Sequence, residues 1–281
     1  MIGRLAGALV RAILVALTIV TPAILLPGTT VDQGQVVILL AFLAAVFTFV
    51  EYFVSAPSLV EFRDAPPFNR LRFAALFLIL FGLAMFLRGK TDPTTLTRLF
   101  TSLGLIVGNW MDFPYSPVRL MLLALPDDAP LRAFSDLRVA AGASYAISIG
   151  TLAIFFLYLR TVGWPVPHGG FNIWVNLPTF DPTAGGDVVE RLRSDARFNL
   201  ILGFLLPFLI AAAVRLFASV FDPLSLAEPH TLIWTMTAWA FLPASMLMRG
   251  VALSRVAALI TEQRIRAAAR HGEGGLASAS A

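Results

Sequence analysis

"DPTTLTRLFTSLGLIVGNWMDFPYSPVRLMLLALP", residues 92–126, is the stretch on which the count of membrane spans turns. Asp92-Pro93 is a helix start by residue type, with Asp as N-cap and Pro at the first helical position. After it Leu96, Leu99, Phe100, Leu103, Ile106 and Val107 recur at helical spacing. Thr94, Thr95, Thr97, Arg98, Thr101 and Ser102 fill the opposite face. Such an amphipathic helix suits a membrane interface or the flank of a bundle. Pro114 and Pro117 then forbid a regular helix through the middle. The stretch reads as a helix, a proline-rich turn and a second short helix. This is a re-entrant or interfacial hairpin, with a seventh span as the alternative.

The surrounding chain is far more apolar. Of its 281 residues 58% are hydrophobic and 14% charged, and the mean hydropathy is +0.80. Soluble domains carry about 25% charged residues, so the excess apolar surface belongs in lipid. The expected fold is an all-α polytopic membrane protein. Six segments approach the roughly 20 apolar residues that a span needs. They are residues 6–26, 35–54, 71–88, 138–159, 199–221 and 231–248. Arg72 and Arg88 can snorkel from the ends of the short third one. Pro22, Pro207 and Pro243 predict kinks, because neighbouring helices can satisfy the freed backbone groups. The N-terminal run resembles a secretory signal in its basic start, but it lasts about 20 residues. No small-x-small cleavage site follows "ILLPGTT", so it is read as a retained span.

Arginine placement orients the chain. Arg4 and Arg11 lie at the N-terminal end, and Arg249, Arg255, Arg264, Arg266 and Arg270 in the C-terminal stretch. The positive-inside rule puts both ends in the cytoplasm, which requires an even number of spans and favours six. The loops "PGTTVDQGQ" and "FDPLSLAEPH" fall outside and lack basic residues. Residues 88–138 strain this topology, since they fall outside and hold six basic residues. The usage of Arg over Lys, with abundant Ala and Leu, points to a GC-rich bacterial genome and hence to the inner membrane. Residues 1–270 read as one membrane domain, with a cytoplasmic loop at 160–198 and an amphipathic helix at 250–270. Asp187 and Glu190 have capping-box spacing, so a short helix should lead into the fifth span. The closing "HGEGGLASASA", residues 271–281, has the composition of a disordered tail.

Chemistry is sparse. There is no Cys, no GxGxxG, P-loop, HExxH or GxSxG, and no cofactor or metal motif. His168, His230 and His271 are far apart, and Asp127-Asp128 opens a loop. No basic stripe interleaved with exposed aromatics suggests nucleic acid. Ionisable residues at membrane depth need partners. Arg215, inside the fifth span with Ala211, Ala218 and Ser219 on its face, should point into the bundle. There it would meet Asp112 at the hairpin tip, or hold an anionic substrate or a proton path. Glu51, near the inner end of the second span, could be neutralised by Arg63 or Arg72, or could reach water.

The elbow at 51–77 crowds Glu61, Arg63, Asp64, Asn69, Arg70 and Arg72 around Pro66-Pro67. Leu59, Val60, Phe62 and Phe68 are expected to dip into the headgroup layer while the charges stay wet. Glu61, Arg63, Asp64 and Arg70 are the candidates for docking a partner. Gly142, Ala146 and Gly150 form a small-xxx-small packing face for the internal bundle or for a second subunit. Expected partners are the lipid bilayer and a membrane protein or a second copy of the chain. Sparse polar content in the spans favours an accessory or scaffold subunit, with a small transporter or permease as the alternative and an intramembrane enzyme behind both.

Overall fold

The computed structural model describes residues 2–126, 129–162, 164–165, 171–181, 183, 185–218, 226 and 228–279, with side chains to 216 in one helix and to 269 in the last. His168, Asp127, Asp128 and Ser219 lie outside the described residues, as do the side chains of Ala218 and His271. The fold is all-helical, with no strand among the described residues. Among the described residues six helices are long and apolar enough to cross a membrane: α1 (Ile2–Leu25), α2 (Val31–Phe53), α3 (Phe68–Arg88), α6 (Leu131–Val162), α8 (Val188–Ala218) and α9 (Pro229–Ala279). Between α3 and α6 stand α4 (Thr95–Met111) and α5 (Pro117–Leu122), and α7 (Ile173–Asn176) is a single turn before α8. The chain is therefore an all-α polytopic membrane protein with six candidate spans and a helical hairpin.

Local chemistry sets the helix ends. Thr30 and Gln33 close a reciprocal capping box at the start of α2. The hairpin helix α4 begins on Thr94, whose hydroxyl accepts from Thr97 N–H. The expected N-cap, Asp92, instead takes a 2.9 Å ion pair from Arg88, one turn back along α3. Ser116 caps α5 with Pro117 at its first position, a site where a missing N–H costs nothing.

Two expected breaks are bridged. The helix leading into the fifth span and the span itself form one α8. Asp187 starts it, accepting from Val189 N–H and from Arg264. The hydrogen bond from Arg264 chiefly holds the Asp187 carboxyl below its ordinary range. The sixth span and the following amphipathic segment likewise form one α9, which runs to Ala279 through the stretch expected to be a tail. Once nucleated, a helix propagates cheaply into Ala-rich sequence. Gly250 is tolerated inside α9 because α8 passes there: a Cβ would stand 2.9 Å from the Ala196 carbonyl oxygen.

Helix α6 is the central element, packing on α3, α4, α5 and α9, while α8 lies along α9. Helix α2 packs chiefly on α1. One core gathers around Leu80, Met121, Leu137 and Trp239. A second, near the elbow, gathers around Phe62, Phe68, Phe155, Trp164 and Leu192. At the opposite end, His230 Nε2 lies 3.1 Å from Thr29 Oγ1 and so ties the α1–α2 loop to α9.

Candidate functional site

The elbow is a packed junction rather than a strand of chain lying in the headgroups. Glu51 closes α2 from within. It is 3% exposed, and its carboxylate accepts from the backbone N–H groups of Ser58, Leu59 and Val60 at 3.0–3.1 Å and from the Ser58 hydroxyl. Neither Arg63 nor Arg72 neutralises it. Turning backbone donors inward satisfies a buried carboxylate as fully as a cation does. Arg63 reaches the carbonyl oxygens of Glu51, Val54 and Ser55, and Arg4 reaches those of Phe53 and Val54. The C-terminal carbonyls of α2 thus face two guanidinium groups, the sign the helix dipole favours there.

The next residues are held by chain far downstream. Phe62 stands at φ +53°, a left-handed conformation that costs a bulky residue about 1–3 kcal/mol. Its N–H donates to the Asn176 carbonyl at 2.6 Å, and Asp64 N–H donates to Asn176 Oδ1. Trp164 Nε1 donates to the Ala65 carbonyl. The rings of Phe62, Phe68, Phe155 and Trp164 pack at 4.6–5.6 Å between centroids. Phe62 and Phe68 are therefore core residues, because the loop before α8 covers them; Leu59 alone of the four expected to meet lipid is fully exposed.

Glu61 is the polar keystone. Arg249 of α9 grips it with two bonds, at 2.6 and 2.8 Å, and Thr179 donates a third. Of the residues expected to dock a partner, Glu61 and Arg63 are engaged inside the protein. Asp64 is exposed and pairs with Arg63 at 3.3 Å. Arg70 is exposed and has no partner among the described residues.

Beside this junction lies a groove of about 1270 Å³. Residues of α1, α2, α3 and α9, with Leu206 of α8 and Leu59, Val60 and Glu61 of the elbow, line it. Four arginines line it, Arg11, Arg70, Arg72 and Arg249, against one carboxylate, Glu61. Arg11 donates to the Gly7 carbonyl and stands over the Tyr52 ring. Arg72 has no carboxylate in ion-pair range among the described residues; it touches Ser245 Oγ at 3.4 Å and the rings of Phe68 and Phe241. Sequence reading placed Arg72 as a snorkelling residue and gave Arg11 and Arg249 only a topological role. The signal it lacked was tertiary: three helices deliver these cations to one level.

The pair proposed between Arg215 and Asp112 does not form. Asp112, 6% exposed at its side chain, sits between Arg119 at 2.7 Å and Arg138 at 2.8 Å. Arg215 is exposed rather than turned into the bundle, and it donates to the Leu123 carbonyl at 2.9 Å. Leu123 is the C-cap of α5, so a long side chain finds a free helix-end carbonyl nearby. The tie from α8 to the hairpin exists, through backbone instead of carboxylate.

Gly142 packs internally. A Cβ there would lie 2.6 Å from Gly108 Cα, so α4 and α6 meet backbone to backbone. That contact sets Arg138, one turn earlier, beside Asp112. Gly150 has open space around it and Ala146 is half-buried, so the stripe is used at one end only. Its partner, Gly104-x-x-x-Gly108 on α4, was readable as the same motif and was missed. Among the described residues no three His, Asp or Glu gather in metal-binding reach. Comparison with protein families, with curated proteins and with solved structures found no match.

Proposed function

We propose that the chain is an accessory or scaffold subunit of a complex in the bacterial inner membrane, with both termini cytoplasmic. The observation that carries this reading is the isolation of α2. Over 23 residues only Ala41 and Glu51 are buried, and α1 is its chief neighbour. Its outward face, including Val36, Leu39, Phe42, Val46 and Val50, is free to meet a partner helix. The internal use of charge supports a binding role over catalysis: Glu51 and Glu61 are hydrogen-bonded by structural partners, and Asp112 is ion-paired with Arg119 and Arg138. An enzyme would need convergent titratable groups in a pocket, and the groove offers arginines with one engaged carboxylate.

The test is a photocrosslinking amino acid placed at Phe42 or Val46, in native membranes, with Leu78 of α3 as control. A discrete adduct from α2 and none from Leu78 is expected. No adduct from α2, together with a monomer in mild detergent, would overturn the reading. A permease remains the second reading, favoured by the groove. Arg215 does not line it, so the anion-handling site moves to Arg72. Solute flux in proteoliposomes that disappears in Arg72→Gln would support that alternative.

A further inference from the structure

The arginine-lined groove has a polarity that runs along its length. Its cations sit at the elbow end, on the first turns of α3 and on α1 and α9. One helical turn or more from them along the chain, the lining is apolar: Leu14, Leu76, Leu206 and Leu242. A cavity of about 1270 Å³ is larger than the roughly 300–1,000 Å³ usual for small-molecule pockets. A charged end joined to a long apolar trough matches an amphiphile, not a compact solute.

The charge is unbalanced as well. Arg249 is committed to Glu61, which leaves Arg11, Arg70 and Arg72 without a carboxylate in ion-pair range among the described residues. Arg72 is the telling one: it is half-buried between two aromatic rings, with a single hydroxyl at the limit of hydrogen-bonding distance. A guanidinium at membrane depth is costly unless paired, and its planar fork matches phosphate oxygens two at a time. Basic pockets between membrane helices on the cytoplasmic side suit lipid head groups. We infer that the groove is a binding site for an anionic phospholipid, with the phosphate on Arg72, Arg70 and Arg11 and the acyl chains along the α1, α3 and α9 walls. The lipid arrives sideways from the bilayer, between α1–α2 and α9, and completes the charge of the elbow end. This does not depend on α2 having a protein partner, since the groove face and the outward face of α2 are different surfaces.

The experiment is native mass spectrometry of the full chain in mild detergent, titrated with phosphatidylglycerol or phosphatidylcholine. Phosphatidylglycerol is expected to bind about tenfold tighter, the scale of a lost charge-assisted hydrogen bond. Arg72→Gln should erase that preference. Leu242→Trp, which fills the trough without touching a charge, should weaken phosphatidylglycerol by a similar factor. Arg132→Gln, exposed near the hairpin end, should change nothing. If Arg72→Gln does not fold, Arg70→Gln and Leu242→Trp carry the test, because both side chains are exposed. Equal binding of the two lipids overturns the proposal, as does phosphatidylglycerol binding that survives both groove variants. Displacement of phosphatidylglycerol by an equal concentration of inorganic phosphate also overturns it, and makes the site one for a soluble anion.

Discussion

Ser144, Ser148 and Thr237 bury their hydroxyl oxygens without a hydrogen-bond partner among the described residues. Thr151, one turn further along α6, returns its hydroxyl to the Ile147 carbonyl at 2.8 Å, so the omission is not forced by the helix. A buried hydroxyl left unmade costs about 1–3 kcal/mol. Replacing Ser144 or Ser148 by Ala should therefore leave stability unchanged or raise it slightly. A loss above about 1 kcal/mol in a detergent unfolding titration would show that the hydroxyls have partners after all. Residue chemistry was the least legible level in the sequence. Glu51 and Arg215 were identified as needing partners, but apart from the Ser58 hydroxyl the partners are backbone groups, and backbone groups leave no trace in residue type. Glu61 stood out through its crowded neighbourhood, yet its partners Thr179 and Arg249 could not be guessed from a loop and a helix so far along the chain.

At the scale of elements, α4 and α6 meet backbone to backbone, a contact that rests on absent side chains. Gly142→Ala puts a methyl group 2.6 Å from Gly108 Cα, which only a shift of the whole hairpin can relieve. A cost of about 1–3 kcal/mol is expected, the usual range for overpacking, read as a fall in Tm. Gly150→Ala, on the same stripe, meets nothing within 4 Å and should be neutral or stabilising by up to about 1 kcal/mol through helix propensity. Equal effects of the two would mean that helix propensity, not contact, sets the outcome. Elements were the most legible level: all six spans, the hairpin and its proline turn were readable from periodicity and Pro spacing. The mistakes were joins. Between residues 187 and 198, and between 249 and 270, nothing breaks a helix except Gly250, whose role depends on what packs against it.

Over the whole molecule, the charge distribution explains why residues 88–138 strained the topology. Arg88 pairs with Asp92, Lys90 with Asp136, and Arg119 and Arg138 with Asp112. Most basic groups at that end carry their own counter-charge, whereas Arg70, Arg72 and Arg11 at the elbow end do not. The proposed orientation makes a simple expectation possible in a chain without Cys. Thr91→Cys should react with a membrane-impermeant thiol reagent added outside intact cells, and Ser55→Cys should not; the reverse pattern inverts the topology. The clamp on Glu61 also bears on biosynthesis. Its partners Thr179 and Arg249 lie 118 and 188 residues later in the chain. The first three spans must therefore enter the bilayer with the elbow still open, and it closes only when the last span has left the ribosome. Phe62 and Phe68 stay uncovered until Phe155, Trp164 and the loop before α8 have been made, which makes the half-made protein, rather than the finished one, the form in greatest need of a chaperone.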